Sequence, residues 1–243
     1  MKKKIAIIVQ ARLGSKRFPN KIIKKIKGKF LIYRILERLV HCKLTNTIIL
    51  AMPNKKRERE LVKKLNFKKI KFFFGSENNV LKRYYLASKK FGIETVVRFP
   101  GDNALPDPVE IDRIISYYSK FKKPFFATNI QNVFNNNYPD GIGAEVFSFK
   151  HLKQLMEKKL PKIYKEHIHL NFFDYKKQKE KNSAWCKVRT LKCPKSKSYK
   201  KLKLDINYPR DYIFIKKIYN KLYDNKKMFS TLDIIKFLNL KKS

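Results

Sequence analysis

The sequence predicts an α/β protein with a parallel sheet covered by helices. Three observations carry this reading. Short continuous apolar runs recur along the first half of the chain. Stretches with apolar residues at helical spacing alternate with them. Polar turns follow several of the runs, where a strand would end. Unbroken apolar runs of this length suit strands buried on both faces, and strand–helix alternation implies parallel pairing with right-handed crossovers.

Ile5–Val9 (IAIIV) reads as the first strand, and residues 10–21 as a polar loop holding Gly14, Ser15 and Pro19. Leu31, Ile35, Leu36 and Leu39 then lie on one side of a helix over 31–40. Thr47–Met52 (TIILAM) is a second buried strand closed by Pro53, and a charged helix over 56–65 leads to a third strand over 70–74. After the Gly75-Ser76-Glu77 turn, Asn78 or Asn79 caps a helix that ends at Gly92. Thr95–Phe99 is a fourth strand ending in Pro100-Gly101-Asp102. Asp107-Pro108 opens the next helix, with Asp at the N-cap and Pro at the first helical position.

The second half predicts shorter strands at 145–149, 185–191 and 201–205, a helix over 210–222 and a short one over 232–238. Asn135-Asn136-Asn137 and residues 195–201 read as exposed loops. Neither a repeat nor a linker interrupts the chain. The expectation is a single domain over 1–243, with a nucleotide-binding half at about 1–125 and a substrate-facing half at about 126–243. Ligands of such sheets bind beyond the carboxyl ends of the strands, where the 10–21 loop and the Gly101-Asp102 turn lie.

The chain has 243 residues, with 43% hydrophobic and 14% aromatic residues, enough to exclude general disorder. Its formal net charge of +40 invites a nucleic-acid reading. However, the basic residues comprise 48 Lys and only 11 Arg, and Arg is the side chain that reads phosphates and bases bidentately. The Lys residues are also spread along the chain, and no recognition motif is present. Cys42, Cys186 and Cys193 are too few for a disulfide scaffold and lack zinc-ligand spacing, so a cytoplasmic protein is expected. No apolar run is long enough to span a membrane or to form a signal-peptide core.

The chemistry concentrates in Gln10-Ala11-Arg12-Leu13-Gly14-Ser15-Lys16-Arg17-Phe18-Pro19-Asn20-Lys21. Backbone N–H groups near Gly14-Ser15 could form an anion nest, and Arg12, Lys16, Arg17 and Lys21 could hold a triphosphate. The spacing is neither that of a Walker A loop nor that of a dinucleotide fingerprint.

The wording of this loop resembles the signature of the sugar cytidylyltransferases, closest to the spore coat polysaccharide biosynthesis protein F type, with CMP-Kdo and acylneuraminate synthetases as relatives. Four further stretches agree in order and spacing: 75–85, 97–105, 138–147 and 202–205. The resemblance implies a nucleotide-diphosphosugar transferase-like fold, a three-layer α/β/α sandwich with a mostly parallel sheet. It implies CMP transfer from CTP to a sugar hydroxyl, with pyrophosphate release, for surface polysaccharide synthesis.

By resemblance, Arg12, Ser15 and Lys21 hold the phosphates, with Arg17 as a further contact and Ala11 and Gly14 in the same nucleotide loop. Gly101, Asp102 and Asn103 face the nucleotide, and Asp102 and Asp205 are the Mg²⁺ ligands. Arg12, Lys21, Asp102 and Asp205 form the expected catalytic set. The sugar side is Tyr138, Asp140, Gly141 and Glu145, with Glu166 and His167 nearby. His167 and His169 are two apart on an expected helix, so they should diverge. The chain departs from the pattern at Lys16, Asn20, Asn103-Ala104 and Gly143-Ala144. A homodimer is compatible with the resemblance, and a 2-keto-3-deoxy acid sugar is one acceptor it allows. The rival readings are transfer from another nucleotide on the same fold, a basic nucleic-acid-binding protein, and a non-catalytic scaffold.

Overall fold

The computed structural model describes residues 4–45 and 47–240, so the basic start of the sequence at residues 1–3 lies outside the described residues. Ile5–Gln10 forms β1, followed by a small hairpin of β2 (Lys25–Ile26) and β3 (Lys29–Phe30) and by α1 (Leu31–Leu39). Thr47–Pro53 is β4, Lys56–Leu65 is α2, Ile70–Gly75 is β5 and Val80–Phe91 is α3. Thr95–Pro100 is β6 and Pro108–Ser119 is α4. The second half adds β7 (Phe126–Thr128), β8 (Glu145–Ser148), α5 (Phe149–Met156) and α6 (Lys162–Glu166). A two-stranded ribbon follows, β9 (Phe173–Asp174) with β10 (Lys179–Glu180), then β11 (Val188–Thr190), α7 (Pro209–Leu222) and α8 (Thr231–Phe237).

Seven strands make one sheet in the order β11-β7-β8-β6-β1-β4-β5. The β1–β4, β1–β6, β4–β5 and β7–β11 pairs are parallel, and β8 runs antiparallel to β6 and β7. Alternation along each strand divides the apolar residues between two cores. Ile7, Val9, Val97 and Phe99 pack under α1, α4 and α7 through Ile35, Ile111 and Ile215. Ile8, Val96 and Phe147 pack under α3 and α5 through Tyr84 and Leu152. This is the expected three-layer sandwich.

The helix signals read from sequence act through named hydrogen bonds. Asn79 accepts from the Lys82 backbone N–H at 2.8 Å, and Gly92 closes α3 in the left-handed region. Asp107 accepts from the N–H groups of Val109 and Glu110.

Five expectations need correction. The 185–191 stretch pairs only at β11, and 201–205 makes no ladder. Instead, isolated bridges tie Asp205 to Asn103 and Lys203 to Asp140. The 195–201 segment is not simply an exposed loop. Lys197 is 8% exposed, and its ammonium lies 2.9 Å from Asp107 Oδ2 and 3.0 Å from Glu110 Oε1. Asn136 is fully buried and donates to the Ile130 carbonyl and to Thr190. Tyr138 is also fully buried, and its hydroxyl donates to Glu110 Oε2 at 2.8 Å. It belongs to this interior network rather than to a sugar-facing surface.

Candidate active site

The 11–20 loop leaves the carboxyl end of β1 and is pinned by apolar side chains, not by regular structure. Leu13, Phe18 and Ile22 are buried, and the Ser15 and Asn20 N–H groups both donate to the Leu13 carbonyl. Asn20 adopts φ 57°, the left-handed region that asparagine tolerates better than most residues. The polar side chains between these anchors face a cavity of about 350 Å³, whose walls include Gln10, Arg12, Ser15, Lys16, Arg17, Lys21, Asp102, Glu166 and His167. Ala11 and Gly101 also line it.

Gly101 sits against the first strand, with its N–H donating to the Gln10 carbonyl at 2.8 Å. A Cβ there would lie 2.6 Å from that carbonyl oxygen, so only glycine lets the turn approach this closely. The next residue, Asp102, is held by two bonds. Its carbonyl accepts the Ile206 N–H at 2.8 Å, and its Oδ2 lies 3.3 Å from Lys21 Nζ. Lys21 is nearly buried and also donates to the Ile206 carbonyl at 2.5 Å. It therefore ties the loop to both predicted aspartate segments.

The Asn103–Asp205 bridge brings Asp205 beside Asp102 although 103 residues separate them in sequence. Gly141, at φ 88°, makes room for this segment, since a Cβ would lie 2.6 Å from the Leu204 carbonyl carbon. Asp140 joins through the Lys203 bridge. Burial, then the charge of Asp102, pushes the Asp205 carboxyl above its ordinary range. Burial, then Asp205, pushes Asp140 up to about 6. Three carboxylates thus gather with one partly engaged ammonium. Among the described residues no three His, Cys, Asp or Glu side chains form a closed metal cage. Two carboxylates completed by phosphate oxygens and water would suit Mg²⁺, and the crowded negative charge fits a cation.

Around the rim, Arg12 Nη2 pairs with Glu166 Oε1 at 2.9 Å, both side chains about one-third exposed. Arg17 donates to Asn207 Oδ1, and Asn207 in turn donates to Asp205. Gly14 lies beside Glu77, and Asn103 is buried and does not line the cavity.

The histidine expectation is corrected. The helix breaks at His167, and the His167 and His169 rings meet edge to face with centroids 5.8 Å apart. His169 packs inward, where burial and then the charge of Arg98 push its imidazole well below the ordinary range. Glu145 is corrected as well. It is 1% exposed, its Oε2 lies 2.5 Å from Arg98 Nη1 in a buried ion pair, and it does not line the cavity. Its other oxygen is 3.9 Å from His169 Nδ1, too long for a hydrogen bond.

Sequence reasoning passed over Gln10, Val80, Arg83 and Arg98 as site residues. Arg98 carried a signal, because it is the one charge in the apolar strand TVVRFP. Arg83 carried none. It donates to the Ser76 carbonyl at 2.7 Å, and burial pushes its guanidinium down to about 10.

Comparison with known proteins bears on this geometry. A family model described as cytidylyltransferase matches residues 6–231. An uncharacterised protein of Methanocaldococcus jannaschii is 35% identical over 165 residues, covering 68% of this chain and 65% of that protein's length. The spore coat polysaccharide biosynthesis protein SpsF of Bacillus subtilis is 25% identical over 97% of this chain and 94% of its own. The structure of a cytidylyltransferase from Leptospira borgpetersenii superposes with a TM-score of 0.83 at 26% identity, covering 98% of this chain and 94% of that one.

Proposed function

This chain belongs to the cytidylyltransferase family, and from that premise we propose that it transfers CMP from CTP to a sugar for surface polysaccharide synthesis. The observation that carries the reading is the Asn103–Asp205 bridge, which sets two carboxylates at the carboxyl edge of the sheet beside the basic 11–20 loop.

In the proposed reaction the sugar's anomeric oxygen attacks the α-phosphorus. The bond from that phosphorus to the β-phosphate bridging oxygen breaks, pyrophosphate leaves, and the hydroxyl proton passes to solvent. Asp102 and Asp205 would hold Mg²⁺, which supplies neutralisation of triphosphate charge when bound. Lys21 keeps Asp102 oriented while its charge faces the phosphates. Arg12, Ser15 and Arg17 bind phosphate oxygens from the loop, backed by the N–H groups near Gly14. Asp140, Glu166 and His167 form the acceptor side. The three free cysteines fit a cytoplasmic location, and no helix among the described residues is long and apolar enough to cross a membrane.

The test is pyrophosphate release from CTP, UTP, GTP and ATP with Mg²⁺ across a panel of sugars with a free anomeric hydroxyl, including 2-keto-3-deoxy acids. Release with CTP and at least one sugar is expected. Release only with another nucleotide would overturn the cytidylyl part, and release with none would overturn the reading.

A further inference from the structure

Gln10 ends β1 and lines the cavity, yet the resemblance assigns its side chain no role. Its backbone is locked on both sides, by the β4 and β6 registers and by the Gly101 N–H. Strand alternation puts its side chain on the α3 face with Ala6 and Ile8, where Val80 and Arg83 also line the cavity. One strand away on the same face, Arg98 Nε donates to Gln10 Oε1 at 3.2 Å. Arg98 is itself 3% exposed and anchored from behind by Glu145.

This contact settles which way the amide turns. A guanidinium has donors and no acceptor, so the atom facing Arg98 must be the oxygen. The amide nitrogen therefore takes the other side, where it donates no hydrogen bond among the described residues.

We propose that Gln10 is a base-reading residue whose amide N–H recognises the acceptor edge of cytosine, with Arg98 and Glu145 as positioning residues that keep it from flipping. This rests on the CTP reading above. Cytosine presents an acceptor at N3, whereas uracil presents an N–H there. A fixed donor bonds the first and opposes the second, and an unpaired buried polar group is the costly outcome. The buried Arg98–Glu145 pair thereby gains a purpose, because it fixes a hydrogen-bond direction at the cavity wall.

The experiment is calorimetric titration of CTP and UTP, with Mg²⁺, into the wild type, Gln10→Glu, Gln10→Ala and Glu145→Gln, each checked for folding by circular dichroism. Gln10→Glu keeps the bond to Arg98 but offers an acceptor to the base. The ratio of CTP to UTP affinity cancels any repulsion that the new charge exerts on both triphosphates. The CTP preference should fall about 10- to 100-fold in Gln10→Glu and about tenfold in Gln10→Ala. Glu145→Gln, which never touches the base, should lower it several-fold.

A wild type that prefers CTP, with an unchanged ratio in folded Gln10→Glu, would overturn this inference and leave the proposed function standing. Equal loss of both affinities would overturn it too, because the amide would then not read N3. A wild type that binds neither pyrimidine nucleotide would overturn the functional reading, and this inference with it.

Discussion

Two clusters in this molecule are built from the same parts, a lysine among aspartates and glutamates, and differ in how fully they are satisfied. In the first, Lys197 binds Asp107 and Glu110, Thr231 donates to Asp107, Tyr138 and Arg113 donate to Glu110, and backbone N–H groups cap the remaining oxygen of Asp107. Against burial, which acts to raise it, Lys197 and Thr231 hold the Asp107 carboxyl below its ordinary range. In the second, Lys21 reaches Asp102 at 3.3 Å and no other carboxylate among the described residues, while burial, and after it like charge, raises Asp205 and Asp140. The saturated cluster joins α4 to the 194–198 segment and α8. The unsaturated one reaches the cavity through Lys21 and Asp102, and its excess negative charge is what a cation would complete. Placing carboxylates together without enough counter-charge costs stability, which is the physical ground for the metal-binding role proposed for the second cluster.

The comparison breaks or sharpens under four changes. Asp102→Asn or Asp205→Asn should lower pyrophosphate release by about a thousandfold while leaving the melting temperature unchanged or higher. A matching loss of stability would erase the distinction. Lys197→Met should do the reverse. It leaves two buried carboxylates without their ammonium, costing roughly 3–5 kcal/mol in denaturant titration, with CTP affinity unchanged in the folded fraction.

Asp140→Asn should stabilise the protein at neutral pH. Its folded carboxyl titrates at about 6, above the unfolded value of 3.8, so the wild type loses stability as pH rises between the two. The variant's advantage should be absent below pH about 4, grow to roughly 1–3 kcal/mol by pH about 7 and stay level beyond. Thermal unfolding across pH checks this, and an advantage that shrank with rising pH would contradict the sign. Arg12→Ala should be the smallest change in stability, under about 1 kcal/mol, because its pair with Glu166 is solvent-exposed. Its effect should show instead as about tenfold weaker CTP binding.

The first half of the fold was legible because its signals are local. Apolar runs marked β1 and β4, a run broken only by Arg98 marked β6, and Asn79, Gly92 and Asp107-Pro108 marked helix ends. Asp102 and Asp205 were legible through motif order, though the isolated bridge that joins them is too short to show as a strand pattern. What stayed hidden depends on tertiary context. Lys197 is one of 48 lysines and nothing nearby distinguishes it. Tyr138 and Glu145 fall within a matching motif, and motif order says nothing about which way a side chain points. The histidine pair required knowing that the helix stops at Glu166. Arg98 was within reach, since a charge in a buried strand asks for a partner.

The most direct test of the central claim is calorimetric titration of CTP, UTP, GTP and ATP into the protein with Mg²⁺, repeated on Asp205→Asn. The account predicts that CTP binds most tightly and that Asp205→Asn, or removal of Mg²⁺ by EDTA, weakens it at least about tenfold. Tightest binding of a purine nucleotide, binding of none, or CTP affinity indifferent to both Asp205 and Mg²⁺ would contradict it.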